Sequence, residues 1–251
     1  MKCLKYLLIL LTGIGSLYGQ IVNVESLRLV SDSLAWSGNV GLDLGLTKNN
    51  TTSFNIASGV HIQYSKEKNL VLFVSNLNFQ QVSDNKFVNR GIFHFRYNYK
   101  ATKRLAWELF TQGQYDAISE IAFRGLLGTG PRFTIRSSKT HEFNMGTLVM
   151  YEYEKTSEEE SVIHRDLRGS AYLAASLHPN ERISLVSTTY YQPKLSRFGD
   201  FRISNDTTFA VKIFQNLDFS TTFSLIYDTA PAQAIPKTQY ELTNGLVYSF
   251  N

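Results

Sequence analysis

Hydrophobic and polar residues alternate with a period of two along most of the chain. The stretch FHFRYNYK, residues 93–100, has four aromatic residues on one parity and polar or basic residues on the other. Successive side chains of a β-strand point to opposite faces, so this stretch predicts a strand with one aromatic face and one polar face.

The same alternation recurs and predicts twelve strands. The predicted strands span residues 36–46, 54–64, 70–79, 93–99, 105–115, 123–135, 143–153, 167–177, 183–191, 201–213, 219–227 and 240–250. The run from Leu70 to Phe79 is apolar on both parities, so its existence is predicted but its facing is not.

The connections between these strands differ in length. Five of them are of hairpin-turn length: residues 65–69, 100–104, 137–141, 178–182 and 215–218. Most of the intervening connections are longer, at residues 80–86, 155–166, 194–200 and 229–238, although those near Lys48 and Asp116 are short. This arrangement on an even number of strands predicts an all-β chain with a single antiparallel transmembrane β-barrel, short periplasmic turns and longer external loops.

Alternation alone does not decide which face is inside, because a soluble sandwich would pack the aromatic face into its core. Aromatic rings with a polar tip lie near the predicted strand ends, as in the girdles of membrane barrels. The strands have about the 9 to 11 residues that a tilted crossing needs. The final YELTNGLVYSFN resembles the C-terminal signal of outer-membrane barrels, although Asn251 follows the last aromatic residue.

A one-residue slip of the strand at Phe93 would turn Arg96 toward lipid, at about 2 to 4 kcal/mol near the midplane. We therefore expect the aromatic face outside and the ionic face inside. The predicted lipid-facing residues are Phe93, Phe95, Tyr97, Tyr99, Trp107, Tyr151, Tyr248 and Phe250. The predicted lumen-lining residues are Asp43, His94, Arg96, Glu108, Arg124, Glu152, Arg168, Arg202, Lys212 and Glu241.

The N-terminus, MKCLKYLLILLTGIGSLYGQ, has two lysines, a short apolar run and small residues near Gly19. These features predict a cleaved signal peptide at residues 1–19, because the run is too short and too interrupted for a membrane anchor. Cys3, the one cysteine of the chain, would leave with it, so no disulfide is expected. We expect residues 20–33 to be a periplasmic lead-in and residues 34–251 to be the barrel.

Composition narrows the function classes. Removing Lys2 and Lys5 lowers the formal charge from +4 to about +2, which gives no support to nucleic-acid binding. Aromatic residues make up 13% of the chain, unlike disordered chains, so a folded exported protein is expected. Its expected location is the bacterial outer membrane, and its expected partners are outer-membrane lipids, lipopolysaccharide and, through the last strand, the barrel-assembly machinery.

Two stretches carry a family resemblance: WSGNVGLDLGLTKNNTTSFNIASGVHIQY (residues 36–64) and YDAISEIAFRGLLGTGPRFTI (residues 115–135). The features are Trp36 before Gly38, a glycine-leucine hairpin into an Asn-Thr turn, and the series Arg124, Gly128 and Gly130. With them the chain resembles the domain-of-unknown-function family 481 (DUF481), whose members are often labelled salt-induced outer-membrane proteins. The turn Asn49-Asn50-Thr51 lacks the family's usual glycine. The resemblance implies an outer-membrane β-barrel and brings no activity, cofactor or site residues.

Candidate chemistry is sparse. A lipid-active enzyme of the phospholipase kind would need a Ser-His pair; His94 is a conceivable base, but no serine lies in a recognisable nucleophile motif, so we expect no enzyme. The histidines show no metal-ligand spacing, and neither a metal nor a cofactor is expected. The acidic run at residues 158–160 either gathers divalent cations against lipopolysaccharide or, as we favour, is a solvated loop.

The arginines of the polar face leave two functions open. They either set the anion preference of a narrow pore or cross-link the interior of a plugged barrel. Twelve strands lie between about eight, whose interior side chains fill, and about 16, which leave a water channel. We therefore expect a narrow pore for small solutes or a structural, stress-related barrel.

Overall fold

The described part of the chain forms twelve strands. The computed structural model describes residues 35–48, 52–82, 86–138, 140–157, 161–215, 217–231 and 235–248, so the predicted signal peptide, the lead-in and the acidic run at 158–160 lie outside the described residues. The strands are β1 (Ala35–Lys48), β2 (Thr52–Lys66), β3 (Asn69–Val82), β4 (Lys86–Lys100), β5 (Leu105–Asp116), β6 (Ile121–Ser137), β7 (His141–Thr156), β8 (Ile163–Asn180), β9 (Ile183–Lys194), β10 (Arg197–Phe214), β11 (Leu217–Asp228) and β12 (Thr238–Tyr248).

The strands form one antiparallel sheet in chain order, from β1 to β12. The predicted twelve antiparallel strands are therefore confirmed. Side chains meet across the concave side: Tyr172 on β8 reaches Glu108 on β5, and Arg202 on β10 reaches Glu152 on β7. The sheet is thus curled into a half-barrel around a shared interior. Among the described pairings β1 and β12 each have one neighbour, so closure of the barrel stays a prediction.

The strands have 11 to 18 residues, and all but β12 are longer than predicted. The predicted loop at residues 194–200 is wrong, because β9 ends at Lys194 and β10 begins at Arg197. A register shift between Arg197 and Phe201 absorbs the residues that break the alternation. The strand pairing thus continues past the stretch in which hydrophobicity alternates, and β-bulges commonly permit this at sheet rims.

The unclear facing of β3 is resolved by its register. Leu72 pairs with Arg96 and Val74 with His94, so the even positions of β3 face the interior with those polar side chains. Leu70, Leu72 and Val74 form a small buried cluster there. A strand with apolar residues on both faces gives no alternation to read, which is why the sequence left this open.

Two glycines of the concave face allow large rings to lie against the sheet. A Cβ at Gly146 would overlap the Tyr172 ring, and one at Gly128 would overlap Phe110. Glycine inside a strand commonly marks such a close approach. Within the described residues, no helix is long and apolar enough to cross a membrane.

Candidate functional site: the interior face

Alternate residues along each strand lie on opposite faces of the sheet. Trp107 on the convex face is 52% exposed, whereas Arg96 on the concave face is 1% exposed. The convex face also exposes Phe93, Phe95, Tyr99 and Tyr151, and Tyr97 is half-buried on it with its hydroxyl donating to Asn69 Oδ1 (2.6 Å). The concave face holds His94, Arg96, Glu108, Arg124, Glu152, Arg168, Arg202 and Glu241.

Four residues from the predicted sets need separate mention. Lys212 has the concave parity but is exposed, because it lies near the end of β10. The side chains of Asp43 in β1 and Tyr248 at the end of β12 lie outside what the structure describes, and so does Phe250.

A first polar cluster lies toward the short turns. We call it the turn-side network and define it as His94, Arg96, Asn98, Glu108, Arg132 and Tyr172. Glu108 is fully buried at its centre: Asn98 Nδ2 donates to its Oε1 (2.8 Å) and Arg96 Nη1 lies 3.5 Å from its Oε2. A buried carboxylate is tolerable only when it is paired and hydrogen-bonded in this way.

Tyr172 extends this network across the interior. Its hydroxyl donates to Glu108 Oε2 (2.8 Å) and accepts from Arg132 Nη1 (3.2 Å). These contacts join β5, β6 and β8 on the concave side, where Gly146 leaves room for the ring. The turn-side network therefore braces strands that are not neighbours in the sheet.

A second cluster lies toward the longer connections. We call it the loop-side network and define it as Arg124, Glu152, Glu154, Arg168, Asp200, Arg202 and Asp228. Arg202 Nη1 lies 2.8 Å from Glu152 Oε2, and its Nε donates to Asp228 Oδ2 (2.6 Å). Arg168 likewise bridges Glu152 (3.0 Å) and Asp200 (3.1 Å). Each of these two guanidinium groups thus links two carboxylates on different strands.

A small cavity of about 40 Å³ lies beside the loop-side network. Its lining includes Arg124, Glu154, Arg202, Asp228 and Gln239. That volume holds a few water molecules, and the polar lining provides hydrogen-bond partners for them. The loop-side network is therefore not packed solid.

Several members of these networks were not predicted. Arg132 and Glu154 lie in phase with the predicted Arg124 and Glu152, so the alternation itself was the available signal. Tyr172 also has the same parity as Arg168. Because it is aromatic, its place among polar residues is easily taken for a local break in the alternation. Asp200 fell in the predicted loop at residues 194–200.

The concave face is not uniform around the sheet. The interior faces of β4–β8, which we call the crowded wall, carry the turn-side network and most of the main buried cluster around Phe110, Leu126 and Met150. The interior faces of β1–β3 and β9–β12, which we call the sparse wall, carry many small side chains over β9–β11. These side chains are Ser184, Thr188, Ser204, Thr208, Ala210, Ser220, Thr222 and Ser224, interrupted by Val186, Tyr190, Gln192, Asp206 and Ile226. Asp200, Arg202 and Asp228 of the loop-side network lie on the same strands.

Buried polar atoms without a hydrogen-bond partner concentrate on the sparse wall. Both ring nitrogens of His61 are buried without one, and so are Asn78 Oδ1, Thr188 Oγ1 and Glu241 Oε2. On the crowded wall, within the described ranges, the corresponding atom is Asn98 Oδ1. Buried polar groups are almost always bonded to protein or ordered water, so these atoms mark the positions on the interior face where bound water would be expected.

His94, the conceivable catalytic base, is fully buried on the crowded wall. Its Nδ1 lies 2.9 Å from Gln112 Oε1, and Arg96 Nε lies 3.3 Å from its Nε2. This places the ring on the concave face, away from the exposed aromatic face. Across the described strands and turns, no three His, Cys, Asp or Glu residues come together as metal ligands would.

Comparison with known proteins agrees with this architecture. The fold is similar to that of a NanC porin, with a TM-score of 0.52 at 8% sequence identity over 84% of this chain and 100% of that one. A weaker similarity joins it to a deltaS2 mutant of the TodX monoaromatic hydrocarbon channel, with a TM-score of 0.40 at 9% identity over 84% and 79% of the two chains. No curated protein matches the sequence. The family described as "Protein of unknown function, DUF481" matches residues 39–250, and the chain therefore belongs to the DUF481 family.

Proposed function

We propose that this protein is an outer-membrane β-barrel with a narrow, water-filled lumen that passes small solutes. The observation that carries the proposal is the contrast between the two faces. The convex face exposes large apolar side chains such as Trp36 (71%) and Leu173 (58%), while charged groups such as Arg96 are shielded on the concave face. This is the reverse of a water-soluble protein and the normal arrangement of a barrel in lipid.

The water content of the interior supports a lumen. The polar atoms of the sparse wall need partners that the described protein groups do not supply, and ordered water is the partner that satisfies such atoms elsewhere. The small Ser and Thr side chains of β9–β11 leave space beside them. The passage would therefore run along the sparse wall, past the loop-side network.

The same face contrast supports the proposed surroundings. The exposed rings on β4, β5 and β7 would meet outer-membrane lipids and lipopolysaccharide, and β12 would be the strand that the barrel-assembly machinery receives. The similarity to a porin adds support, since that protein has the same fold. A signal peptide at residues 1–19 would deliver the chain.

A structural barrel without a passage is the second candidate. The crowded wall favours it, because Tyr172 and Glu108 join β8 to β5 directly through the interior. A barrel braced in this way would support the envelope under osmotic or salt stress. A lipid-active enzyme has less support, since His94 faces Gln112 and Arg96 and not the lipid side. We therefore propose a non-enzymatic role.

The test is planar-bilayer conductance of the full mature chain refolded in detergent. Wild type should give discrete current steps. Ser224→Trp, which puts a large ring on the concave face of β11, should lower the step size several-fold. Phe223→Trp, the adjacent residue on the convex face, is the matched control and should leave it unchanged.

Other outcomes separate the alternatives. A folded, heat-modifiable protein that gives a silent bilayer would overturn the channel in favour of the structural barrel. Hydrolysis of phospholipid by the same preparation would overturn the non-enzymatic role. A chain that folds and stays soluble without amphiphile would overturn the barrel itself.

A further inference from the structure

We propose that the lumen prefers small cations and that Glu241 on the sparse wall is a residue that sets this preference. The inference rests on the proposed channel and names the class of solute that it passes. It depends on the balance of charged side chains around Arg90 on the concave face, and on the Glu241 carboxylate being ionised.

Glu241 lies on β12 near the longer connections, four residues into its strand. Glu241 is 6% exposed, and its Oε2 atom is buried without a hydrogen bond to the described protein groups. An ionised carboxylate in that situation needs water or a cation to replace its lost hydration. Burial disfavours the ionised form of Glu241 unless water or a cation lies beside it, so a solvated cation would stabilise the charged carboxylate at this site.

A second carboxylate lies two strands away in the same row. Ser224 pairs with Asp206 on one side and with Glu241 on the other, so the three side chains lie side by side on the concave face. Ser224 Oγ donates to Asp206 Oδ1 (2.5 Å). Directly opposed residues on neighbouring strands have Cβ atoms about 5 Å apart, which puts the two carboxylates about 10 Å apart across Ser224.

Arg90 on β4 supplies positive charge to this region, but several carboxylates share it. It interacts electrostatically with Glu241 and also with Asp116, which is its register partner on β5. Asp206 adds negative charge beside Glu241. Arg90 is thus shared by Asp116 and Glu241, and Asp206 adds a third carboxylate, so carboxylates outnumber this guanidinium among the described side chains that these interactions join.

The loop-side network does not reverse this balance. Its arginines, Arg124, Arg168 and Arg202, are each in ion pairs with carboxylates of the same network. Charges paired in this way contribute little field at a distance, whereas a net-negative ring in a low-dielectric wall raises the local concentration of cations. The sequence alone suggested the opposite possibility, an anion preference, because it did not reveal these pairings.

The test is the reversal potential of the refolded full mature chain across a potassium chloride gradient. Wild type should be cation-selective. Glu241→Gln should shift the reversal potential toward that of a non-selective pore, and Arg90→Gln should shift it the other way, toward stronger cation selectivity. Glu181→Gln, in the exposed turn between β8 and β9, is the matched control and should leave it unchanged.

The two variants are expected to shift the reversal potential in opposite directions. Misfolding cannot produce this result, because a general loosening of the lumen would shift the reversal potential of both variants the same way. Current steps with anion preference in wild type, or no shift in Glu241→Gln, would overturn this inference and leave the channel standing. A silent bilayer would overturn the channel, and the inference with it.

Discussion

The crowded wall and the sparse wall belong to one sheet with one alternation pattern, yet they solve the problem of buried polarity differently. On the crowded wall the buried polar groups are paired within the protein: Glu108 forms an ion pair with Arg96 and accepts hydrogen bonds from Asn98 and Tyr172. On the sparse wall, atoms of His61, Thr188 and Glu241 are buried without a hydrogen-bond partner among the described groups. A hydrogen bond to another protein group fixes the position of a buried polar side chain, whereas a water partner can exchange. The comparison teaches that one curled sheet can pair its buried polar groups within the protein on one side of its interior and leave such atoms without a described partner on the other.

The largest expected effect comes from unbalancing the crowded wall. Glu108→Ala leaves Arg96 and Arg132 buried beside an uncharged site, which should lower the free energy of unfolding by about 3 to 5 kcal/mol. The measurement is equilibrium unfolding by urea of the protein folded in lipid bilayers.

Glu142→Ala is the control for this change. Glu142 also pairs with Arg132, at 3.8 Å, but its side chain is 38% exposed, so its loss should lower the stability by less than about 1 kcal/mol. Equal losses in the two variants would mean that burial does not distinguish the crowded wall, and the comparison would fail.

A smaller effect is expected from the glycine that admits Tyr172. Gly146→Val should push the ring away from the sheet and lengthen its contact with Glu108, lowering the stability by about 1 to 3 kcal/mol. The same urea experiment measures it, with the fluorescence of the refolded chain as a readout of packing.

Gly199→Val provides the comparison, because a Cβ there meets no atom within 4 Å. It should be close to neutral. If Gly146→Val were neutral as well, the close approach of Tyr172 would not be a requirement of the crowded wall.

Much of the fold was predictable because it depends on local alternation. The twelve strands follow from period-two patterns such as residues 93–100, and the short turns follow from chain length between them. The bracing contact was not predictable. Glu108 and Tyr172 are 64 residues apart and meet only because the sheet curls and Gly146 leaves space. The Arg96–Glu108 pair was within reach of the sequence, since both lie on the polar parity of neighbouring strands.

The last comparison deletes one hydroxyl on each wall, and the smallest effect of all is expected on the sparse wall. Tyr172→Phe removes a donor to Glu108 and an acceptor for Arg132, so it should lower the free energy of unfolding by about 1 to 3 kcal/mol. Thr188→Val removes a fully buried hydroxyl whose oxygen has no protein partner. It should change the stability by less than about 1 kcal/mol, because no hydrogen bond between described side chains is lost. Both variants are measured by the same urea unfolding in bilayers. A loss at Thr188 as large as that at Tyr172 would show that the sparse wall, too, depends on fixed hydrogen bonds, and the division between a braced side and a hydrated side would no longer hold.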